Sequence, residues 1–379
     1  MKMGKSKSKM KIDSFTLYHI RLPLVTPFAT SFGSIDHKEC ILVELHAEGL
    51  TGFGESAVER DPGYNYETTG TAWHILKEFV APLILGQDVI DAADFQRRVA
   101  GVRGHFLAKA GVEMALWDLL GKRDGKSLKT MLGGERDKVE VGVSIGLQES
   151  ASSLVRAAEG YVAQGYNRLK IKIKPGRDVE DTSAVRKAFP EIRLQVDANS
   201  AYSLETAEAL KPLDDLELLL IEQPLFEDDI WDHRVLQAQF QTPICLDESV
   251  ISPRHARYAI EMGACGIINI KPGRVGGLSQ GIEIHDMCRA QEMPVWCGGM
   301  LETGVGRASN LAIASLPGFT LPGDISASDR YFPRDITHER FTLNPDSTID
   351  VPDAPGLGIT IDEKALGEFT LAKFELKSP

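Results

Sequence analysis

Asp197 in LQVDAN, Glu222 in LLIEQP, Asp247 in ICLDES and Lys271 in INIKP each follow a short apolar run, at intervals of 25, 25 and 24 residues. An interval of that size fits one helix plus one strand. The four residues are therefore expected at equivalent heights, at the C-terminal ends of neighbouring parallel strands. Any one of them alone reads as an ordinary turn residue, helix cap or solvated lysine. Together they do not, because three converging carboxylates repel strongly unless a cation holds them. Three oxygen donors without histidine or cysteine suit a hard divalent ion, so Asp197, Glu222 and Asp247 are candidate ligands of Mg²⁺, with Mn²⁺ able to substitute. Such an ion would stabilise negative charge developing on a substrate oxygen.

One strand earlier stands RLKIKIKPG, residues 168–176, with Lys170, Lys172 and Lys174 at alternate positions. On a strand these lysines share one face while Leu169, Ile171 and Ile173 share the other. Lys172 and Lys271 would then approach a bound substrate from opposite sides. Lys170 adds a second positive charge near Lys172; a like charge lowers a lysine's pKa, which makes Lys172 a candidate general base. Lys174 reads as a solvated rim charge. The implied chemistry is removal of a proton next to a carboxylate, with the ion stabilising the resulting enediolate.

The elements that would position these residues are legible along the chain. IDSFTLYHIRLPL, ECILVELHAEG and TGFGE alternate like the strands of a small antiparallel sheet, with VTPFATSFGS as a loop between the first two. ETTGTAWHILKEFVAPLIL and AKAGVEMALWDLLGKRDGKSLKTMLGG carry apolar residues at helical intervals, with Gly133 and Gly134 as a stop. From Val139, β-rich runs beginning with VEVGVSIG and ending with LPGD alternate with amphipathic helices. Eight such strands favour a closed barrel over an open sheet. The expected organisation is a basic, disordered tail over residues 1–11, an α+β cap over 12–134, a barrel over 135–335, and a segment 336–379 that folds back onto the cap.

Composition narrows the classes further. With 43% hydrophobic and 25% charged residues the chain is an ordinary globular protein, and its net charge of −12 argues against nucleic acid as a partner. No apolar run approaches the roughly 18–20 residues of a membrane span, and the basic start lacks the apolar stretch of a secretory signal, so a cytoplasmic protein is expected. The five cysteines show no C-x-x-C spacing and read as reduced core residues.

With these residues assembled, nearly the whole chain resembles the enolase superfamily, in its muconate-lactonising-enzyme subgroup. The resemblance implies a modified TIM barrel, (β/α)7β, with an α+β capping domain built from the N-terminal region and the C-terminal tail. KIK looks like that family's K-x-K, Asp197, Glu222 and Asp247 like its metal ligands, and Lys271 like its sixth-strand acid/base. LLLIEQPL, TPICLDES, NIKPGRVGG and PVWCGGMLETGVGRASN with the later LPGDISASDRYF narrow the resemblance to the o-succinylbenzoate synthases that also racemise N-succinyl- or N-acylamino acids. A syn dehydration needs one base and a racemisation two opposed ones.

By the same resemblance Ser144, Lys170, Asn199, Gly299 and Met300 would lie near substrate, with Asn199 and Glu248 as supports behind the ligands. Arg274 matches an arginine of members with racemase activity. The loops TPFATSFG and SAVERDPGYNYE would cover the barrel mouth, bringing Phe28, Tyr64 and Tyr66 to an apolar pocket. GDIS places Ser326 where dipeptide epimerases carry a second aspartate, which ranks that specificity lower. The partner implied is a small carboxylate substrate, and a homo-oligomer is expected. The alternatives are a dedicated N-acylamino acid racemase and a catalytically silent barrel used for binding. The last predicts a lost ligand or lysine, and all five positions are present.

Overall fold

A computed structural model describes residues 9–31 and 33–378 of the chain. The N-terminal alternating segments form an antiparallel sheet of β1 (Met10–Thr30), β2 (Gly33–Ala47) and β3 (Leu50–Ser56), with the C-terminal strand Thr370–Lys377 paired to the other edge of β1. The period of two divides its side chains between two cores. Phe15, Leu17, Ile41 and Val43 pack with the helix α1 (Phe106–Asp124), whereas Ile20, Leu22, Cys40 and Leu42 join the cluster that continues into the barrel. Helix and sheet approach closely: a Cβ on Gly54 would meet the Gly111 carbonyl oxygen at 2.0 Å, so only glycine fits there.

Three expectations for this region need correction. VTPFATSFGS is not a loop between strands but the tip of a long hairpin, with Phe28 opposite Ile35 and Ala29 opposite Ser34 beyond a bulge after Pro23. The segment after Ala108 is two helices, because Gly125 turns the backbone left-handed (φ 63°) before Leu128–Leu132; the second ends at Gly133, as the glycine pair suggested. The basic tail is shorter than 1–11: Met10 is buried and paired with Val89, while residues 1–8 lie outside the described residues.

The second half holds seven parallel strands in sequential order: β4 (Val143–Ile145), β5 (Arg168–Lys172), β6 (Arg193–Asp197), β7 (Ile221–Glu222), β8 (Ile244–Leu246), β9 (Ile267–Ile270) and β10 (Val295–Cys297). The eighth position is filled by an irregular stretch. Phe319 bridges to Val295 and Gly323 to Val141, and the Asp324 amide donates to the Cys297 carbonyl at 2.9 Å, so the ring closes without a regular last strand. VEVGVSIG, expected as one strand, is divided: Lys138–Glu140 pairs with Thr348–Asp350 outside the ring, and only Val143–Ile145 belongs to it. Between β6 and β7 the expected amphipathic α-helix is a 3₁₀ segment, Ala207–Leu216, where Pro212 removes a backbone donor.

Buried carboxylates fasten cap to barrel. Glu113 of α1 accepts from the backbone of Leu278 (2.8 Å) and Ser279 (3.0 Å), at the start of the barrel helix α2 (Leu278–Ala290). Glu55 of β3 accepts from Thr303 (3.0 Å) and Gly306 (3.1 Å) at the start of α3 (Gly304–Ala314). Each places carboxyl oxygens at the positive end of a helix dipole, where they take up free backbone N–H groups. No helix among the described residues is long and apolar enough to cross a membrane.

Candidate active site

The strand register builds the site directly. Lys172 of β5 lies opposite Asp197 of β6, and Asp197 opposite Glu222 of β7, so the three emerge as one row at the C-terminal rim. Asp247 and Lys271 follow at the ends of β8 and β9. Lys172 Nζ donates to Asp197 Oδ2 (2.6 Å) and Asn199 Oδ1 (2.5 Å), and Asn199 in turn donates to Glu248 Oε1 (2.9 Å). Lys271 Nζ donates to Asp247 Oδ2 (2.7 Å) and to the Tyr64 hydroxyl (3.0 Å). Asn199, Gln223 and Leu301, all beside the site, hold left-handed backbone (φ 42°, 39° and 56°), a local cost met by the packing around them.

The lysine row divides as expected and gains one member, Arg168, at its start. Arg168, Lys170 and Lys172 are its buried members, and Lys174 lies beyond the strand and is exposed. Lys170 Nζ reaches Asp197 Oδ2 (2.9 Å), Glu222 Oε2 (2.9 Å) and Asp324 Oδ2 (2.7 Å), while Arg168 pairs with Asp324 Oδ1 at 2.6 Å. Lys170 and Lys172 are neighbours as expected, but with a shared carboxylate oxygen of Asp197 between them. Burial opposes the Lys170 charge, yet Asp197, Asp324 and Glu222 hold its pKa well above the ordinary lysine range. Burial likewise opposes the Asp197 charge, but the two lysines keep its carboxyl well below the usual range. Glu248, buried and facing Asp197, is pushed up to about 7.

Among the described residues no three His, Cys, Asp or Glu side chains are gathered tightly enough to chelate an ion. The same carboxylates are paired with cations: Lys170 bridges Asp197 and Glu222, and Lys271 and Arg274 hold Asp247. The donor set nonetheless fits a hard divalent ion. It is all oxygen, buried and anionic, and Asp197 and Glu222 already share one cationic group. Glu248 Oε2 and Ser144 Oγ are buried close by without a hydrogen-bond partner.

Above these groups opens a cleft of about 930 Å³ between barrel and cap. Ser144, Lys170, Lys172, Asn199 and Lys271 line it from the barrel, together with Gly299 and Met300 after β10; Phe28 and Tyr64 line it from the cap. The hairpin tip is stitched onto the barrel mouth by Val25 N to Tyr331 O (2.8 Å), Leu147 N to Ala29 O (3.0 Å) and Ser31 Oγ to Asn199 O (3.1 Å). One candidate lies elsewhere. Tyr66 is exposed rather than turned into the cleft. Arg274 does not line the cleft but sits beneath it, donating to Asp247 Oδ1, to the Val250 carbonyl (2.8 Å) and to the Asn269 carbonyl, so its contact is with a candidate ligand.

Sequence reasoning passed over Asp324, Arg168, Asn269 and Tyr331. Asp324 ends the irregular eighth stretch and lines the cleft, but proline and glycine precede it where the other strand-end residues follow an apolar run. Arg168 was available from the same alternation as Lys170 and Lys172. Tyr331 packs edge-on against Phe28 (centroids 6.3 Å apart, 82°) and gave no signal of its own. Asn269 donates to Glu222 Oε1 at 2.7 Å from the interior face of β9.

Gly298 offers a direct test of how tightly this packing is set. A Cβ there would meet Asn269 Oδ1 at 2.3 Å and Lys271 Cε at 2.6 Å. Gly298→Ala is expected to lower kcat by about 10–100-fold while the thermal melt still shows one cooperative transition, since small misplacements at reacting groups carry costs of that order. Wild-type kcat in that variant would show that neither Asn269 nor Lys271 is so constrained.

A barrel with a cap over its mouth, its rim gathering carboxylates between two lysines, is the architecture of the enolase superfamily. Two family models match: the mandelate racemase / muconate lactonizing enzyme N-terminal domain over residues 14–133 and the enolase C-terminal domain-like family over residues 153–365. The chain belongs to the mandelate racemase / muconate lactonizing enzyme family of that superfamily. It is 48% identical to an o-succinylbenzoate synthase of Geobacillus stearothermophilus over 362 residues, covering 95% of this chain and 96% of the relative. It is 46% identical to an N-succinylamino acid racemase of Amycolatopsis over 365 residues, covering 96% and 99%. A crystal structure of an enolase-superfamily member from Listeria innocua superposes with a TM-score of 0.93 at 42% identity, covering 97% of this chain and 99% of that one.

Proposed function

We propose that the protein is a Mg²⁺-dependent o-succinylbenzoate synthase that also racemises N-succinylamino acids. The observation that carries this reading is the pair Lys172 and Lys271, brought to one cleft from strands β5 and β9 with carboxylates between them. In dehydration Lys172 removes the proton next to the carboxylate of the cyclohexadiene precursor, and loss of water on the same face yields the aromatic product of the menaquinone route. In racemisation one lysine removes the α-proton and the other returns one from the opposite face. Asp197, Glu222 and Asp247 would hold Mg²⁺, or Mn²⁺ in its place, and the ion when bound supplies positive charge to the developing enediolate. Ser144, Lys170, Asn199, Gly299 and Met300 line the substrate, with Phe28 and Tyr64 closing over it.

Charge supports the choice of substrate. Asp197, Glu222, Asp247, Glu248 and Asp324 face Arg168, Lys170, Lys172, Lys271 and Arg274, five carboxylates against five cations. The site is neutral with Glu248 ionised and carries one positive charge with Glu248 protonated, so in either state a divalent cation leaves a surplus that a dicarboxylate offsets, and both substrate types carry two carboxylates. The same reading includes a cytoplasmic setting and a homo-oligomer. A dedicated racemase is the second reading, favoured by the Amycolatopsis relative.

Side-by-side kcat/KM values on the cyclohexadiene precursor and on N-succinylamino acids decide between the two; no turnover of either substrate would sink both. Chelation should abolish turnover, and added Mg²⁺ or Mn²⁺ should restore it. The fold is expected to persist without metal, because the lysines already neutralise the carboxylates. Saturating Mg²⁺ should still raise the melting temperature, as any ligand of the native state does. Turnover unaffected by chelation would contradict the metal assignment.

A further inference from the structure

We propose that Tyr64, carried by the cap loop, is a positioning residue for Lys271 and so serves one face of the cleft and not the other. The inference deepens the function proposed above and rests on it for the substrate. The Tyr64 hydroxyl donates to Asp247 Oδ1 and accepts from Lys271 Nζ, both at 3.0 Å, and its ring centroid lies 4.5 Å from the same Nζ. With the bond to Asp247 Oδ2 at 2.7 Å, two of the three ammonium protons are directed, which leaves the third for the cleft. The phenol does this without bringing a charge of its own.

The two lysines are held from different parts of the molecule. The side chains that contact Lys172 directly, Asp197 and Asn199, are barrel residues, and the cap reaches this side only through Ser31 on the Asn199 carbonyl. Lys271 depends on a residue 207 positions away in sequence, in a different structural unit. The loop that delivers Tyr64 is pinned on both sides. Before it, the fully buried Lys38 donates to the carbonyl of Val58 (3.1 Å) and pairs with Glu59 (3.5 Å). After it, Glu67 accepts from the backbone of Leu107 and Ala108, each at 2.9 Å. Between these anchors Tyr64 makes the contact with the candidate catalytic groups. Seating of the loop therefore bears on proton transfer at the Lys271 face, while the Lys172 face has its own support.

Tyr64→Phe keeps the ring and removes the hydroxyl. In D₂O the variant should exchange the α-proton of the enantiomer that depends on Lys271, the one whose exchange is lost in Lys271→Ala, about tenfold more slowly relative to its mirror image than wild type does. An unchanged ratio overturns the proposal, including the case where both rates fall together, as a merely structural role predicts. Amide hydrogen exchange over residues 57–67 needs no substrate. Exchange faster on the order of tenfold in Tyr64→Phe supports the anchor, and unchanged protection overturns it. If the loop result holds while wild-type enzyme exchanges neither enantiomer, the anchor stands and the functional reading fails.

Discussion

Lys172→Ala is expected to lose dehydration of the cyclohexadiene precursor by about 10²–10⁴-fold, the usual contribution of a positioned general base. The loss should be chemical rather than structural. Asp197 keeps Lys170 at 2.9 Å when Lys172 is gone, so no buried carboxylate is left without a cation. The melting curve should accordingly stay close to that of wild type. The comparison needs only purified variant and wild-type rates at saturating Mg²⁺, and dehydration at the wild-type rate would remove Lys172 from the mechanism.

The second large effect is expected at Glu222. Glutamine in its place can still accept from Asn269 Nδ2, which now donates to Glu222 Oε1 at 2.7 Å, and Lys170 retains Asp197 and Asp324 as partners. What Glu222→Gln removes is one anionic oxygen donor of the proposed Mg²⁺ site. Because the ion's stabilisation of developing charge amounts to several kcal/mol, turnover should fall on the order of 10³-fold at a fixed Mg²⁺ concentration. Calorimetric titration of Mg²⁺ should show the affinity falling alongside the rate. Unchanged Mg²⁺ affinity in this variant would mean that the ion, if it binds, is held by other groups.

Much of the site was readable because a parallel barrel converts regular spacing into a ring. Asp197, Glu222, Asp247 and Lys271 each end an apolar strand, and the sequence interval alone carried them to one rim. The rule weakened where the strand did. Asp324 closes a stretch held by isolated bridges, with proline and glycine just before it and no apolar run to mark its end. The lysine row lies where its alternation puts it, and only its first buried member, Arg168, goes unmarked. Alternation puts Arg168 on the same face as Lys170 and Lys172, but nothing in the pattern tells a buried arginine at the strand's start from a solvated one. Tyr64 and Tyr66 stand two residues apart in one loop, yet one reaches Asp247 and the other faces solvent. Loop residues have no period from which such a difference can be read. The hairpin tip carries loop signals in sequence because its strand character comes from pairing across the turn, beyond the bulge that follows Pro23.

The pairing of every candidate metal ligand with a lysine or arginine also bears on chemistry. Lys170 joins Asp197 to Glu222, Lys172 also reaches Asp197, and Lys271 reaches Asp247, so candidate ligands and lysines form one ion-paired network. Binding of the ion and of a dicarboxylate would redistribute those contacts together.

The central claim is that Lys172 and Lys271 act on opposite faces of one substrate carbon. Deuterium incorporation at the α-carbon of both enantiomers of one N-succinylamino acid, followed by NMR in D₂O with wild type, Lys172→Ala and Lys271→Ala, tests it most directly. Wild type should label both enantiomers, and each variant should lose labelling of one, a different one in each case. Labelling of both enantiomers by either variant, or loss of the same enantiomer in the two, would contradict the two-base arrangement.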